Sequence, residues 1–214
     1  MTVTRALARM PAETVPHART WMAWPAADYM RDGGIAALED VLVAWAGVAN
    51  ALARFEPVAM LVRPGLRAEA RRMLAADVEL CDAEYDDAWL RDSGPTFVHG
   101  AGGLGAVDWV FNAWGGLDWT GHARDDRVAA DVAGRAGADV VDSPLVNEGG
   151  GIHVDGEGTV LLTETVQLDP RRNPGWTRAA VEAELARTLG VTTAIWLPRG
   201  LTRDYGPLGT RGHV

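Results

Sequence analysis

The chain has 214 residues, enough for one large domain or two small ones, and 48% are hydrophobic, which supports a real core. A net charge of −9 argues against nucleic acid or an anionic membrane as partner and suits a small cationic molecule. One cysteine, Cys81, excludes an internal disulfide framework and fits a reducing compartment; the first ten residues are too poor in apolar residues for a signal peptide, and no run approaches a transmembrane span. A cytoplasmic protein is expected.

Met10-Pro11-Ala12-Glu13 and Pro16-His17 form an irregular lead-in. Arg19 to Trp24 reads as a short strand closed by Pro25. A helix follows from about Gly34 to Arg54, because Ile35, Leu38, Leu42, Trp45, Ala49 and Leu52 recur at spacings of three and four. Pro57 to Arg63 has the continuous apolar character of a buried strand, stopped by Pro64-Gly65. Leu66 to Ala76 is predicted helical with Ala70, Met73 and Leu74 inward, and Val78 to Cys81 is a strand.

That strand runs into Asp86-Asp87-Ala88-Trp89-Leu90-Arg91-Asp92-Ser93-Gly94-Pro95. Gly94-Pro95 breaks any regular element, so these acids are expected on a loop. A loop carboxylate beside an indole suits a flat cation: the carboxylate takes a guanidinium through parallel hydrogen bonds and the ring face adds a cation–π contact. The competing reading is a solvated acidic turn.

Beyond the loop the pattern regularises. Thr96 to His99 and Ala106 to Phe111 read as strands. Arg127 to Ala136 reads as a helix with Asp125 or Asp126 as N-cap, and Ala138 to Val141 as a third strand. Asn147-Glu148-Gly149-Gly150-Gly151 again puts an acid on a loop. The order then repeats: strands Ile152 to Val154 and Thr159 to Thr163, helix Trp176 to Leu189 with Gly190 as its stop, and strand Thr192 to Leu197. Two strand–strand–helix–strand units thus follow a looser one. Asp92, Glu148 and His213 each lie in the loop after one unit's last strand, and repeated units arranged about an axis would bring those loops together.

Other motifs weigh less. Gly100, Gly102 and Gly105 satisfy G-x-G-x-x-G, but a strand follows and not a helix, so a hairpin turn is predicted rather than a phosphate site. Gly149-Gly150-Gly151 precedes a strand too and is expected to permit close backbone approach to a ligand. His153 and Asp155 alternate on a strand near Glu148, without the Cys pair or spaced histidines of a metal site; no metal and no cofactor is expected. Cys81 ends an apolar strand and reads as a small buried hydrophobe. Trp114, in Asn112-Ala113-Trp114-Gly115-Gly116, reads either as an aromatic wall of the site or as a core residue.

At these residues the chain resembles the agmatine deiminase family, including its bacterial peptidyl-arginine deiminase branch. Met10 to Glu13 with Trp21 to Pro25, Asp87 to Pro95, Phe111 to Gly116, Glu148 to Gly158, Trp196 to Gly200 and Gly212-His213-Val214 match its motifs in order, over nearly the whole chain. The resemblance implies an α/β fold, the pentein propeller of strand–strand–helix–strand modules. This chain is expected to hold about three of them as one incomplete domain over 1–214, with an open doubly wound sheet as the alternative. It implies hydrolysis of a guanidine to a ureido group with loss of ammonia: a Cys thiolate attacks the guanidinium carbon and a His moves protons.

By motif match, Asp92 is a guanidinium-binding acid with Trp89 and Trp114 as aromatic neighbours. Glu148 is the acid that supports the His or the substrate, and His213 is the general acid/base. The expected partner is a small cationic guanidine such as agmatine. A protein-arginine substrate and a non-catalytic guanidinium-binding module are the alternatives. The chain also departs from the family. Gly209 stands where agmatine-specific members carry an acid, with Arg211 nearby. The family's nucleophilic Cys lies well after the His, and Cys81 does not align with it. The polypeptide is therefore expected to be inactive alone, to self-associate, and to be poorly ordered after about Arg203.

Overall fold

The structure, a computed structural model, describes residues 8–26, 38–100, 102–117, 121–205 and 209–211. They divide into two compact units. One contains residues 16–26, 38–90 and 121–125; the other contains 8–15, 91–100, 102–117, 126–205 and 209–211.

The first unit is built of β1 (Thr20–Ala23), α1 (Leu38–Leu52), β2 (Val58–Val62), α2 (Arg67–Met73) and β3 (Glu79–Asp82). Its sheet has the order β1-β2-β3 and is wholly parallel. All five residues of β2 are buried, as befits a central parallel strand covered on both faces. Helix α1 turns Leu42, Ala46 and Ala49 inward at one-turn intervals, and Glu39 and Asp40 sit in its first turn, where the helix dipole favours acids. Trp24, Leu42, Val58, Met60 and Val78 share one core.

The second unit holds two modules of one pattern. In the first, β4 (Thr96–Gly100) pairs antiparallel with β5 (Gly103–Val110), α5 (Val128–Ala136) follows, and β6 (Asp139–Val146) returns parallel to β5. In the second, β7 (Ile152–Val154) pairs antiparallel with β8 (Thr159–Thr163), the single turn α6 (Glu164–Gln167) and then α7 (Arg178–Leu189) follow, and β9 (Thr193–Leu197) returns parallel to β8. Helix α7 is closed at both ends, and Gly190 is the stop that the sequence predicts. The Thr177 hydroxyl accepts the Ala180 N–H at 3.2 Å, and Gly190 takes the left-handed conformation at φ 67°. Val98, Val107, Leu145, Leu162, Val181 and Leu185 belong to one core shared by the two modules.

The described strands thus form three separate three-stranded sheets, one per module, and not a single continuous parallel sheet. This bears out the α/β fold class of an incomplete pentein propeller with about three modules, the first of them irregular. The doubly wound alternative fails on the antiparallel strand pairs that precede α5 and α7. Gly100 pairs directly with Gly103 across the hairpin, so the glycine motif is a turn.

Two local expectations are corrected. Asp92 sits on a single helical turn, α3 (Leu90–Ser93), not on an open loop; only Asp86 and Asp87 precede it in irregular chain. Neither Asp125 nor Asp126 caps α5, whose N-terminus follows a 3₁₀ turn over Asp125–Arg127. The Asp125 carboxylate instead accepts the backbone N–H groups of Asp86, at 2.7 Å, and Asp87, and Asp126 accepts the Phe111 N–H at 3.0 Å. Loop amides far along the chain outcompeted the local helix terminus.

Candidate functional site

The site is built from Asp92 outward. Asp92 is 6% exposed, on the turn that Gly94-Pro95 terminates. Its Oδ2 accepts the indole Nε1–H of Trp114 at 3.2 Å, and its Oδ1 accepts the Gly150 N–H at 3.1 Å. A buried carboxylate must be hydrogen-bonded, and both oxygens are held here in a fixed plane.

Trp114 comes from the single turn α4 (Ala113–Gly116). Four successive residues there have positive φ: Ala113 at 55°, Trp114 at 54°, Gly115 at 88° and Gly116 at 75°. Two of these carry a Cβ, and left-handed backbone is costly for them. The Asn112 side chain pins the turn, its Oδ1 accepting the Gly115 N–H at 2.8 Å and its Nδ2 donating to the Arg171 carbonyl at 3.0 Å. The strained turn delivers the indole to Asp92. Trp114 is also core, 2% exposed and edge-on to Phe111 with ring centroids 5.3 Å apart, as the second of its two readings has it.

Glu148 follows β6 and opens a 3₁₀ turn over Gly149–Gly151. The glycines allow a close backbone approach, but to the chain itself: a Cβ on Gly149 would lie 2.2 Å from the Arg91 carbonyl oxygen. That contact brings the Glu148 loop against α3 and aims the Gly150 N–H at Asp92. Glu148 is 1% exposed, and its Oε1 accepts Nε of Arg172 at 2.8 Å. The Arg172 side chain is fully buried; Nη1 donates to Asp169 Oδ2 at 3.3 Å and Nη2 to the Thr210 carbonyl at 2.8 Å. Burial works to raise the Asp169 pKa. The hydrogen bonds and charge of Arg171, with the charge of Arg172, outweigh it and hold the carboxyl below its usual range.

Asp92, Trp114 and the Glu148 loop are therefore brought together. Trp89 belongs to the other unit, 37% exposed and edge-on to Trp45 with ring centroids 5.3 Å apart. His213, and the order expected to be lost after Arg203 at 206–208 and 212–214, lie outside the described residues. Cys81 is buried in β3. His153 is exposed on β7, and Asp155 closes a turn by accepting the N–H groups of Thr159, Glu157 and Gly158; those bonds lower its pKa to about 2. Among the described residues no cluster of His, Cys, Asp or Glu is arranged to hold a metal, and no helix is long and apolar enough to cross a membrane.

The residues that sequence reasoning missed are Asp169, Arg172 and Asn173. Their signal was present: Asp169-Pro170-Arg171-Arg172-Asn173-Pro174 is a charged turn between two prolines. Nothing local shows that one of its arginines is buried.

The family described as Porphyromonas-type peptidyl-arginine deiminase matches over residues 9–214. The chain is 59% identical over 207 residues to a provisionally named agmatine deiminase of Streptomyces coelicolor, covering 96% of this chain and 61% of that protein. It is 45% identical over 213 residues to the agmatine deiminase of Ectopseudomonas mendocina, covering 96% and 55%. A solved structure of the agmatine deiminase of Enterococcus faecalis superposes with a TM-score of 0.86 at 37% identity, over 99% of this chain and 59% of that one. The chain spans about three-fifths of the length of these relatives.

Proposed function

Because this chain belongs to the Porphyromonas-type peptidyl-arginine deiminase family, we propose that its protein hydrolyses a guanidine to a ureido product and ammonia, with agmatine as substrate. The observation that carries the reading is the buried Asp92 carboxylate, held in plane by Trp114 and Gly150. A rigid carboxylate beside an indole is pre-organised for a planar cation, and little is left to order when the guanidinium arrives.

In this reading Asp92 binds the guanidinium with Trp114 as its aromatic neighbour, and Trp89 keeps the substrate-binding role that the resemblance implies. Glu148 supports the substrate or the histidine. A thiolate adds to the guanidinium carbon; the carbon–nitrogen bond breaks and ammonia leaves with a proton from His213. Water, deprotonated by the same histidine, then adds to that carbon, and the carbon–sulfur bond breaks to release the ureido product and return the thiolate. Cys81, buried in β3, is given no part. The names of the relatives support agmatine, while Gly209 and Arg211 leave peptidyl-arginine as the second substrate to try. The single cysteine supports a cytoplasmic setting, and self-association belongs to the same reading.

Calorimetry with agmatine and with arginine peptides, run beside an ammonia-release assay, tests this. Agmatine should bind, and Asp92→Ala should weaken it by about 2–5 kcal/mol, the cost of leaving a buried guanidinium without its acid. Binding without ammonia release in the complete gene product would identify a non-catalytic guanidinium-binding protein instead. No binding of either ligand would sink the reading.

A further inference from the structure

Arg172 makes three contacts to three different stretches of chain from a fully buried side chain: the Glu148 carboxylate, the Asp169 carboxylate and the Thr210 carbonyl. A buried ion pair is a poor device for stability alone, since desolvation consumes most of the Coulombic gain. What a guanidinium adds is a planar fork with fixed angles between its bonds. The next residue reinforces this. The Asn173 side chain accepts the Val146 N–H at 3.0 Å and donates to the Val146 carbonyl at 2.9 Å, as a neighbouring strand would, just before the chain reaches Glu148.

We propose that Arg172 is a positioning residue of the guanidine site: one buried fork sets the direction of the Glu148 carboxylate and fixes the backbone at Thr210, three residues ahead of His213. The inference rests on the proposed function for its consequence, but its geometry lies wholly in described residues. The Asp169–Asn173 turn is the common support. It also meets the Trp114 turn, where a Cβ on Gly115 would lie 3.3 Å from Nη1 of Arg172.

Arg172→Lys and Arg172→Gln test it, read by amide hydrogen exchange and by agmatine calorimetry. Both variants should lose at least tenfold protection at the amides of 146–151 and of 209–211, with none lost in 58–62 of the other unit. Agmatine should bind at least tenfold more weakly to both, and Lys should do no better than Gln, because one ammonium cannot serve three acceptors at fixed angles. Rescue by Lys would show that charge alone matters and overturn the proposal. So would a uniform loss of protection, or loosening of only one of the two segments. If neither variant folds, native-state exchange of the wild type in rising urea decides: the two segments should open together, and separate openings refute the shared fork. If the wild type shows the local exchange pattern but no agmatine binding, the functional reading fails while the positioning of the two segments stands.

Discussion

Asp92 faces two N–H donors, the Trp114 indole on one oxygen and the Gly150 amide on the other. Only a carboxylate accepts on both sides. In Asp92→Asn the carboxamide can accept one donor, and its NH₂ must then meet the other. We expect a loss of about 1–3 kcal/mol, the cost of an unsatisfied buried donor, seen as a lower urea midpoint with an unchanged slope. An Asn variant as stable as the wild type would show that Asp92 is not held as described. Acceptor geometry thus stabilises the same carboxylate that the proposed function assigns to the substrate. Glu148 is held differently, by the Arg172 cation, so the two candidate acids differ in what the proposed function can ask of them.

At the scale of elements, the left-handed turn α4 is the costly piece. Ala113 is fully buried at φ 55°, in the region that glycine occupies without penalty. Elsewhere an Ala→Gly change destabilises through the greater entropy of the unfolded chain. At position 113 the relief of left-handed strain opposes that loss, so Ala113→Gly should be neutral or stabilising by up to about 1 kcal/mol. Chemical denaturation measures this, and a loss above about 1 kcal/mol would mean the methyl group's packing outweighs the strain. The hairpins and helices around the turn are ordinary by comparison, closed by caps and glycines that any α/β protein uses.

At the scale of the whole molecule, acidity leaves a mark on stability. Asp108 on β5 is pushed up to about 6, first by burial and then by the charges of Asp126 and Asp142. Asp125 is pushed up to about 6 as well, mainly by burial, although the amides of Asp86 and Asp87 pull the other way. A carboxyl whose folded pKa lies above its unfolded value keeps a proton that the unfolded chain has already released. Between about pH 4 and 6 folding therefore takes up protons, and stability falls as pH rises through that window. Asp108→Asn should remove its share of the fall. Discounted for the screening of a half-buried group, that share is about 1 kcal/mol, or about 2–4 °C in Tm, at pH 7.5 and nothing at pH 4. Scanning calorimetry at the two pH values checks it; an equal gain at both would rule out charge as the cause.

The sequence by itself determined the module pattern, the turn at Gly100–Gly103, the Gly190 stop of α7 and the candidate acids Asp92 and Glu148. Each of these depends on hydrophobic period or turn chemistry within a few residues, which a sequence displays directly. Only the tertiary structure decided which groups meet. Asp92 finds Trp114 and Gly150, Glu148 finds Arg172, and Asp125 leaves its own helix for the amides of Asp86 and Asp87. These partners lie from about two dozen to nearly sixty residues apart in the chain. No local rule encodes such pairings: a buried polar group takes whichever complementary donor or acceptor packing brings to it, and leaving it unmatched costs more than abandoning a nearby helix end. That is why the candidate acids could be named from the sequence and Arg172, the buried partner of Glu148, could not.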